Sequence, residues 1–364
     1  MKNVILFSPN NSNGGIASWS RKYVANYKND EFNIVHVGTS GRRNAIGTNN
    51  IFKRLFDGLL DTKDCIKRLK NAIIEYKPVI MHATTSGSFG TLRDYLAVLL
   101  CHKYGVKAIM HCRYGCITES YNQKSLLGLF LRHVMTLYDM VWVLDSRSYN
   151  TLKEHNSLSN KVYLTPNCIA VPETCDLSPK QYNKVAFIAN LFPSKGLFEL
   201  LDAVVECDND IKINVIGPGT DDIINTIHKK YSNYLNEKIF LLGKKSNDDA
   251  VELMKECDIL ALPTYYEGEA FPISILEAMS LGKLVISTKR AAINDMLTSQ
   301  DGEACGIFVR EKSKEDIVKA LNWCYKNKTQ ADSICARSFE KVKNTYDTRI
   351  IYDLYTSLYQ RIIK

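Results

Sequence analysis

At 364 residues, 45% hydrophobic and 24% charged, the chain has material for two ordinary globular domains, which excludes a mini-protein or a coiled coil. Nineteen glycines and nine prolines are too few for a collagen-like or low-complexity chain, and 10% aromatic residues supply bulk for real cores. The net charge of +8 is uneven, with 22 Lys+Arg against 11 Asp+Glu in residues 1–165 and a slightly acidic remainder.

The chain opens on a continuous apolar run, Asn3 to Ser8 (NVILFS), which reads as a buried strand rather than a basic, then apolar leader. A Pro, Asn, Ser, Gly cluster follows, and Ile16 to Tyr27 has helical spacing. Short apolar runs recur at Phe32 to Val37, Val79 to His82, Lys107 to His111, Met140 to Leu144 and Lys161 to Thr165, with helix-length segments between several of them. Buried strands alternating with helices predict a doubly wound α/β domain over 1–165, with a parallel sheet covered on both faces.

Within this half, Asn50 to Tyr76 sets Ile51, Phe52, Leu55, Phe56, Leu59 and Leu60 among Lys53, Arg54, Lys63, Lys67, Arg68 and Lys70. Two uses stay open: a basic amphipathic face on anionic lipid, or an ordinary helix packed on the sheet. Ser125 to Met135 (SLLGLFLRHVM) carries the same ambiguity.

Residues 166–183 hold three prolines and no sustained helical period, and read as an interdomain linker. The strand pattern restarts at Lys184 to Ala189, Ile211 to Ile216, Ile239 to Leu242, Ile259 to Leu262 and Leu284 to Ser287. A second doubly wound domain is expected over 184–344, its ligand lying where the carboxyl ends of the strands of both domains face a cleft.

The most informative segment is Pro263 to Gly282 (PTYYEGEAFPISILEAMSLG), between the runs DILAL and KLVIST. Pro272 is expected in the first turn of a helix and Gly282 just past its end. Glu269 then lies in the loop before the helix and Glu277 about one and a half turns inside it. The free amides and dipole of that helix end suit a diphosphate, with the two carboxylates left to accept hydrogen bonds from sugar and ribose hydroxyls.

The run from Glu269 to Glu277, followed by Ala278-Met279, resembles the Glu-x7-Glu signature of family 4 glycosyltransferases. Glu267 is a rival for the first position, but only Glu269 has the seven-residue spacing. The resemblance implies a GT-B fold and a retaining enzyme that uses a nucleotide sugar. Asn13-Gly14-Gly15-Ile16 is similar to the family's glycine-rich loop, and His111 to its histidine near the transferred sugar, with an orienting and possible charge role. Thr165-Pro166-Asn167-Cys168-Ile169 stands where the family has Pro-Asn-Gly, with Cys168 in place of Gly.

Asn190-Leu191-Phe192-Pro193-Ser194-Lys195-Gly196 resembles the segment that brings an Arg and a Lys to the donor diphosphate. Lys195 is retained and Asn190 stands in the Arg position, so Arg113 or Lys244 substitutes or donor affinity is reduced. Gly217, Gly219 and Gly243-Lys244 match further strand-end loops. The resemblance therefore assigns Lys195, Lys244, Glu269, Ala270, Phe271, Pro272, Ile273, Glu277, Gly14, Gly15 and Asn190 to the donor. It gives His111, Glu269 and Lys195 to catalysis, and Asn13 and Arg113 to the acceptor side. In such enzymes the last helix, here Thr348 to Ile362 within a segment 345–364, packs back on the first domain.

No metal or other cofactor is expected: no Asp-x-Asp motif stands out as a divalent clamp, and the donor, a UDP- or GDP-sugar, is substrate. No Walker A, no Gly-x-Gly-x-x-Gly after the first strand and no His-Glu-x-x-His occurs. The basic residues accompany no nucleic-acid-reading motif. Eleven cysteines without Cys-x-x-Cys, and no apolar run near the roughly 18 residues that span a bilayer, point to the cytoplasm, with peripheral membrane attachment as an option. The expected acceptor is a glycan or polyprenyl-linked precursor of a bacterial surface polysaccharide. The alternatives are a sugar-nucleotide epimerase and a catalytically silent sugar-nucleotide-binding subunit.

Overall fold

A computed structural model describes residues 1–10, 14–39, 51–87, 90–207 and 210–364, and their side chains except those of 51–55. The chain divides into two compact units, residues 1–165 with 352–364, and residues 166–351.

The first unit alternates β1 (Lys2–Ser8), α1 (Gly15–Asn26), β2 (Phe32–Gly38), α2 (Ile51–Tyr76), β3 (Ile80–Thr85), α3 (Gly90–Lys103) and β4 (Lys107–Cys112). It continues through α4 (Ile117–Asn122), α5 (Leu126–Leu137), β5 (Met140–Val143), α6 (Ser146–Lys153) and β6 (Val162–Leu164). Its six strands are all parallel, in the order β2-β1-β3-β4-β5-β6.

Side chains alternate across a strand, so each face of this sheet has its own cover. Met81, Ala83, Met110 and Cys112 pack with Leu69 of α2, Val98 of α3 and Leu131 and Val134 of α5 in one apolar core. His82 and Thr84 of β3, His111 of β4 and its register partner Trp142 of β5 share the opposite face.

The second unit runs β7 (Lys184–Ile188), α7 (Leu197–Glu206), β8 (Lys212–Ile216), α8 (Asp221–Lys230), β9 (Ile239–Gly243), α9 (Asn247–Lys255) and β10 (Ile259–Leu262). It ends with α10 (Ile273–Ser280), β11 (Leu284–Ser287), α11 (Ile293–Met296), β12 (Ile307–Phe308), α12 (Lys314–Lys326) and α13 (Lys328–Thr345), before α14 (Thr348–Ile363) crosses the unit boundary. The strands are again all parallel, ordered β12-β11-β10-β7-β8-β9. The two-residue β12 is too short to leave a sequence pattern.

Three expectations shift. Residues 166–183 are no free linker but pack with the second unit, where Asn167 Nδ2 donates to the Phe271 carbonyl at 3.0 Å and buried Tyr182 donates to Asp332 at 2.5 Å. Residues 345–351 also stay with that unit, because the Ile169 amide donates to the Tyr346 carbonyl at 3.1 Å and the Thr348 amide to the Ile169 carbonyl at 2.8 Å. Pro272 is the N-cap of α10 rather than a residue of its first turn, its ψ of 116° being extended. Gly282 does follow the helix, at the left-handed φ of +63° that favours glycine there. Among the described residues, no helix is long and apolar enough to cross a membrane.

Candidate active site

The order of the second sheet fixes where a ligand can approach. Strands β7 and β10 are neighbours, yet their outgoing connections lead to opposite sides, toward β8 and β11. Their carboxyl ends therefore flank the topological switch point where a parallel α/β sheet opens a crevice. Lys195 sits in a short 3-10 turn (Pro193–Lys195) after β7, and Glu269 in the loop after β10. The Lys195 ammonium donates to the Glu269 carboxylate at 2.5 Å, with side chains only 13% and 9% exposed. Lys195 Nζ also lies 4.8 Å from the centroid of the Tyr266 ring.

Backbone packing holds the two loops together. The Tyr265 amide donates to the Ser194 carbonyl at 2.8 Å. Gly196, at φ +75°, lies so close to β10 that a Cβ would come within 2.3 Å of the Pro263 carbonyl oxygen, and only glycine meets both demands.

The start of α10 is bare of side-chain caps. Ser246 caps α9 and Ser313 caps α12 by accepting from Asp249 and Asp316 amides, whereas Pro272 has no side chain to offer α10. The first-turn amides of Ile273 and Ser274 have no intrahelical acceptor, and with the helix dipole they favour an anion. Phe271 is fixed just before them by the Asn167 bond and by Tyr346, whose ring meets it edge-on at 5.5 Å. Ala270 accepts from the Ala292 amide at 3.2 Å. Half-buried Glu277, one turn on, accepts from Asn247 Nδ2 at 3.1 Å. Asn190 and Lys244 are exposed on the loops after β7 and β9.

In the first unit, His111 is fully buried near the end of β4. Its Nε2 lies 3.2 Å from Arg113 Nη1 and its Nδ1 lies 3.0 Å from His82 Nε2. The Arg113 guanidinium lies over the Trp19 ring, 3.8 Å from its centroid. Burial, then the Arg113 charge, then His82 hold the His111 imidazole well below its ordinary pKa. Burial and Arg113 likewise push His82 down to about 3. This corrects the expected charge role of His111: the ring is held neutral, because a proton would be both unsolvated and repelled by Arg113.

Gly14 is the N-cap of α1, its carbonyl accepting from the Ser18 amide at 3.1 Å, and a Cβ on Gly15 would meet no protein atom within 4 Å. Asn13 lies outside the described residues. Lys195, Glu269 and the start of α10 are thus brought together, with Glu277 farther along the helix. Sequence reasoning missed Tyr266, Asn247, His82 and Tyr359. Tyr266 stood inside the motif segment and was legible as an aromatic before the acidic pair. The other three have no sequence signal, since their partners are 30 or more residues away except for His111, 29 residues from His82.

Residues 176–340 match the family model described as glycosyl transferases group 1. The chain is 27% identical over 181 residues to the N,N'-diacetylbacillosaminyl-diphospho-undecaprenol alpha-1,3-N-acetylgalactosaminyltransferase of Campylobacter jejuni, covering 50% of this chain and 45% of that protein. It is 24% identical over 188 residues to the phosphatidyl-myo-inositol mannosyltransferase of Mycolicibacterium smegmatis, covering 50% and 46%. The chain spans about half the length of the curated relatives it matches.

Among solved structures, Anabaena HepE in complex with UDP resembles the chain with a TM-score of 0.75 at 15% identity, covering 99% of this chain and 100% of that one. Sucrose-phosphate synthase from Thermosynechococcus elongatus gives 0.77 at 13% identity, covering 100% and 99%. These likenesses show the fold, which is GT-B.

Proposed function

We propose that this chain is a retaining glycosyltransferase that moves a hexose-type sugar from a nucleoside diphosphate to an acceptor hydroxyl. The observation that carries the proposal is the Lys195–Glu269 pair at the β7/β10 switch point, beside the uncapped start of α10. In the donor complex, Lys195 exchanges Glu269 for a phosphate oxygen, and the Ile273 and Ser274 amides hold the diphosphate. Glu269, released, accepts from donor-sugar hydroxyls, and Glu277 from the ribose. Charge that develops on the departing diphosphate is stabilised by groups already in place, and the same diphosphate takes the acceptor proton. Such a site needs no metal ion and no protein nucleophile. UDP bound to HepE and the diphospho-undecaprenol acceptor named for the Campylobacter relative support a UDP-sugar donor and a lipid-linked glycan acceptor.

A thermal-shift series against UDP-, GDP-, ADP- and CMP-sugars tests this. A donor at about 100 times its dissociation constant stabilises the protein by about 2.7 kcal/mol. Lys195→Ala and Glu277→Ala abolish that shift while the protein stays folded; a full shift in both rejects the site.

Peripheral attachment of a cytoplasmic enzyme to the inner membrane face completes the proposal. Support comes from exposed Leu126, Leu127 and Leu129 on α5, and from exposed Phe56 and Leu59 near Lys63, Lys67 and Lys70 on α2. The buried Cys65, Leu69 and Ile73 of α2 meanwhile pack in the core, so the same helix leaves its exposed side free for the proposed lipid contact. Flotation with anionic liposomes at low salt, lost at high salt, is the expected result; no flotation at low salt removes the attachment.

A further inference from the structure

A chain of buried hydrogen bonds runs from Arg113, just past β4, to the last helix. After the Arg113–His111 and His111–His82 contacts, His82 Nδ1 lies 2.6 Å from the Tyr359 hydroxyl of α14, which lies 2.9 Å from the Tyr23 hydroxyl of α1. His82, His111 and Tyr359 are fully buried and Tyr23 nearly so.

The direction of each bond as far as Tyr359 follows from the first. A guanidinium carries donors only, so His111 Nε2 accepts. A neutral imidazole has one N–H, which in His111 must then be on Nδ1 and donates to His82 Nε2. The same exclusion places the His82 proton on Nδ1, donating to Tyr359. Trp19, Trp142, Tyr23 and Tyr355 surround the two rings, and Arg113 is the charged group in contact with them among the described residues.

We infer that His82 on β3 and Tyr359 on α14 are positioning residues: by accepting in turn they hold both histidines in the Nδ1–H form that Arg113 selects, and so keep His111 Nε2 as the acceptor that orients Arg113. The tautomers follow from the hydrogen bonds alone. Their consequence for turnover rests on the proposed acceptor-side role of Arg113 in glycosyl transfer. A defect of α14 would thus reach Arg113 through hydrogen bonds.

Two measurements on the full chain separate these statements. In nitrogen-15 spectra of the histidine rings, His82 and His111 are expected in the Nδ1–H form without titration from pH 5 to 8; an Nε2–H form of His111, or titration of either ring in that range, overturns the chain. In transfer assays, Tyr359→Phe lowers turnover about tenfold with donor KM within about twofold of wild type, and causes no further loss in an Arg113→Ala background. Equal loss in both backgrounds, or none in either, overturns the positioning role. Should the wild type prove inactive with every sugar nucleotide, the transferase reading falls while the spectra still decide the tautomers.

Discussion

The two units share one architecture and treat their polar groups in opposite ways. In the second, Lys195 and Glu269 meet on loops at the carboxyl edge of the sheet, where the proposed function has each change partner when a ligand arrives. In the first, His82, His111 and Arg113 are sealed between the sheet and the rings of Trp19, Trp142 and Tyr355, so exchanging partners there means opening the core. The contrast separates two jobs that one parallel sheet can do. In the proposed function the edge pair exchanges its charge partner, while in the proposed positioning role the buried chain transmits orientation and stays fixed.

The contrast can be broken most forcefully at Trp142, fully buried and 4.7 Å from His82 and 4.9 Å from Tyr355 between ring centroids. Trp142→Ala should destabilise the protein by about 3–5 kcal/mol in urea unfolding, as other large aromatic deletions in cores do. A cost under about 1 kcal/mol would mean that this layer is loosely packed.

Acidification comes next in size. His82 has a folded pKa depressed to about 3, and His111 is shifted in the same direction. The unfolded chain binds these protons first, near pH 6.5, so stability is full above that value and falls as pH drops toward the folded pKa. By pH 5 the loss is about 2 kcal/mol for His82, with His111 adding to it in the same direction, which unfolding curves at pH 7 and pH 5 resolve. Stability independent of pH across that interval would show the histidines to be solvated.

The smallest effect sharpens the other side of the comparison. Asn247→Ala removes the amide that orients Glu277 and should weaken donor binding by about 1 kcal/mol, leaving unfolding of the free protein within about 0.5 kcal/mol of wild type. Titration calorimetry with the donor found in the thermal-shift series measures it; unchanged affinity would detach Glu277 from the donor.

The sequence by itself determined the strands, since eleven short apolar runs became β1 to β11 nearly in place, and parallel strands buried on both faces must be continuous in apolar residues. It also determined the Glu269 to Glu277 segment, apart from the shift of Pro272 to the N-cap, because a loop and one helical turn are local in the chain and fix their residues by spacing alone. Only the tertiary structure decided that Lys195 pairs with Glu269, 74 residues on, and that His82 stands between His111 and Tyr359, 277 residues away. A hydrogen bond is felt over about 3 Å, and chain spacing says nothing of which distant strands and helices the sheet order will bring that close.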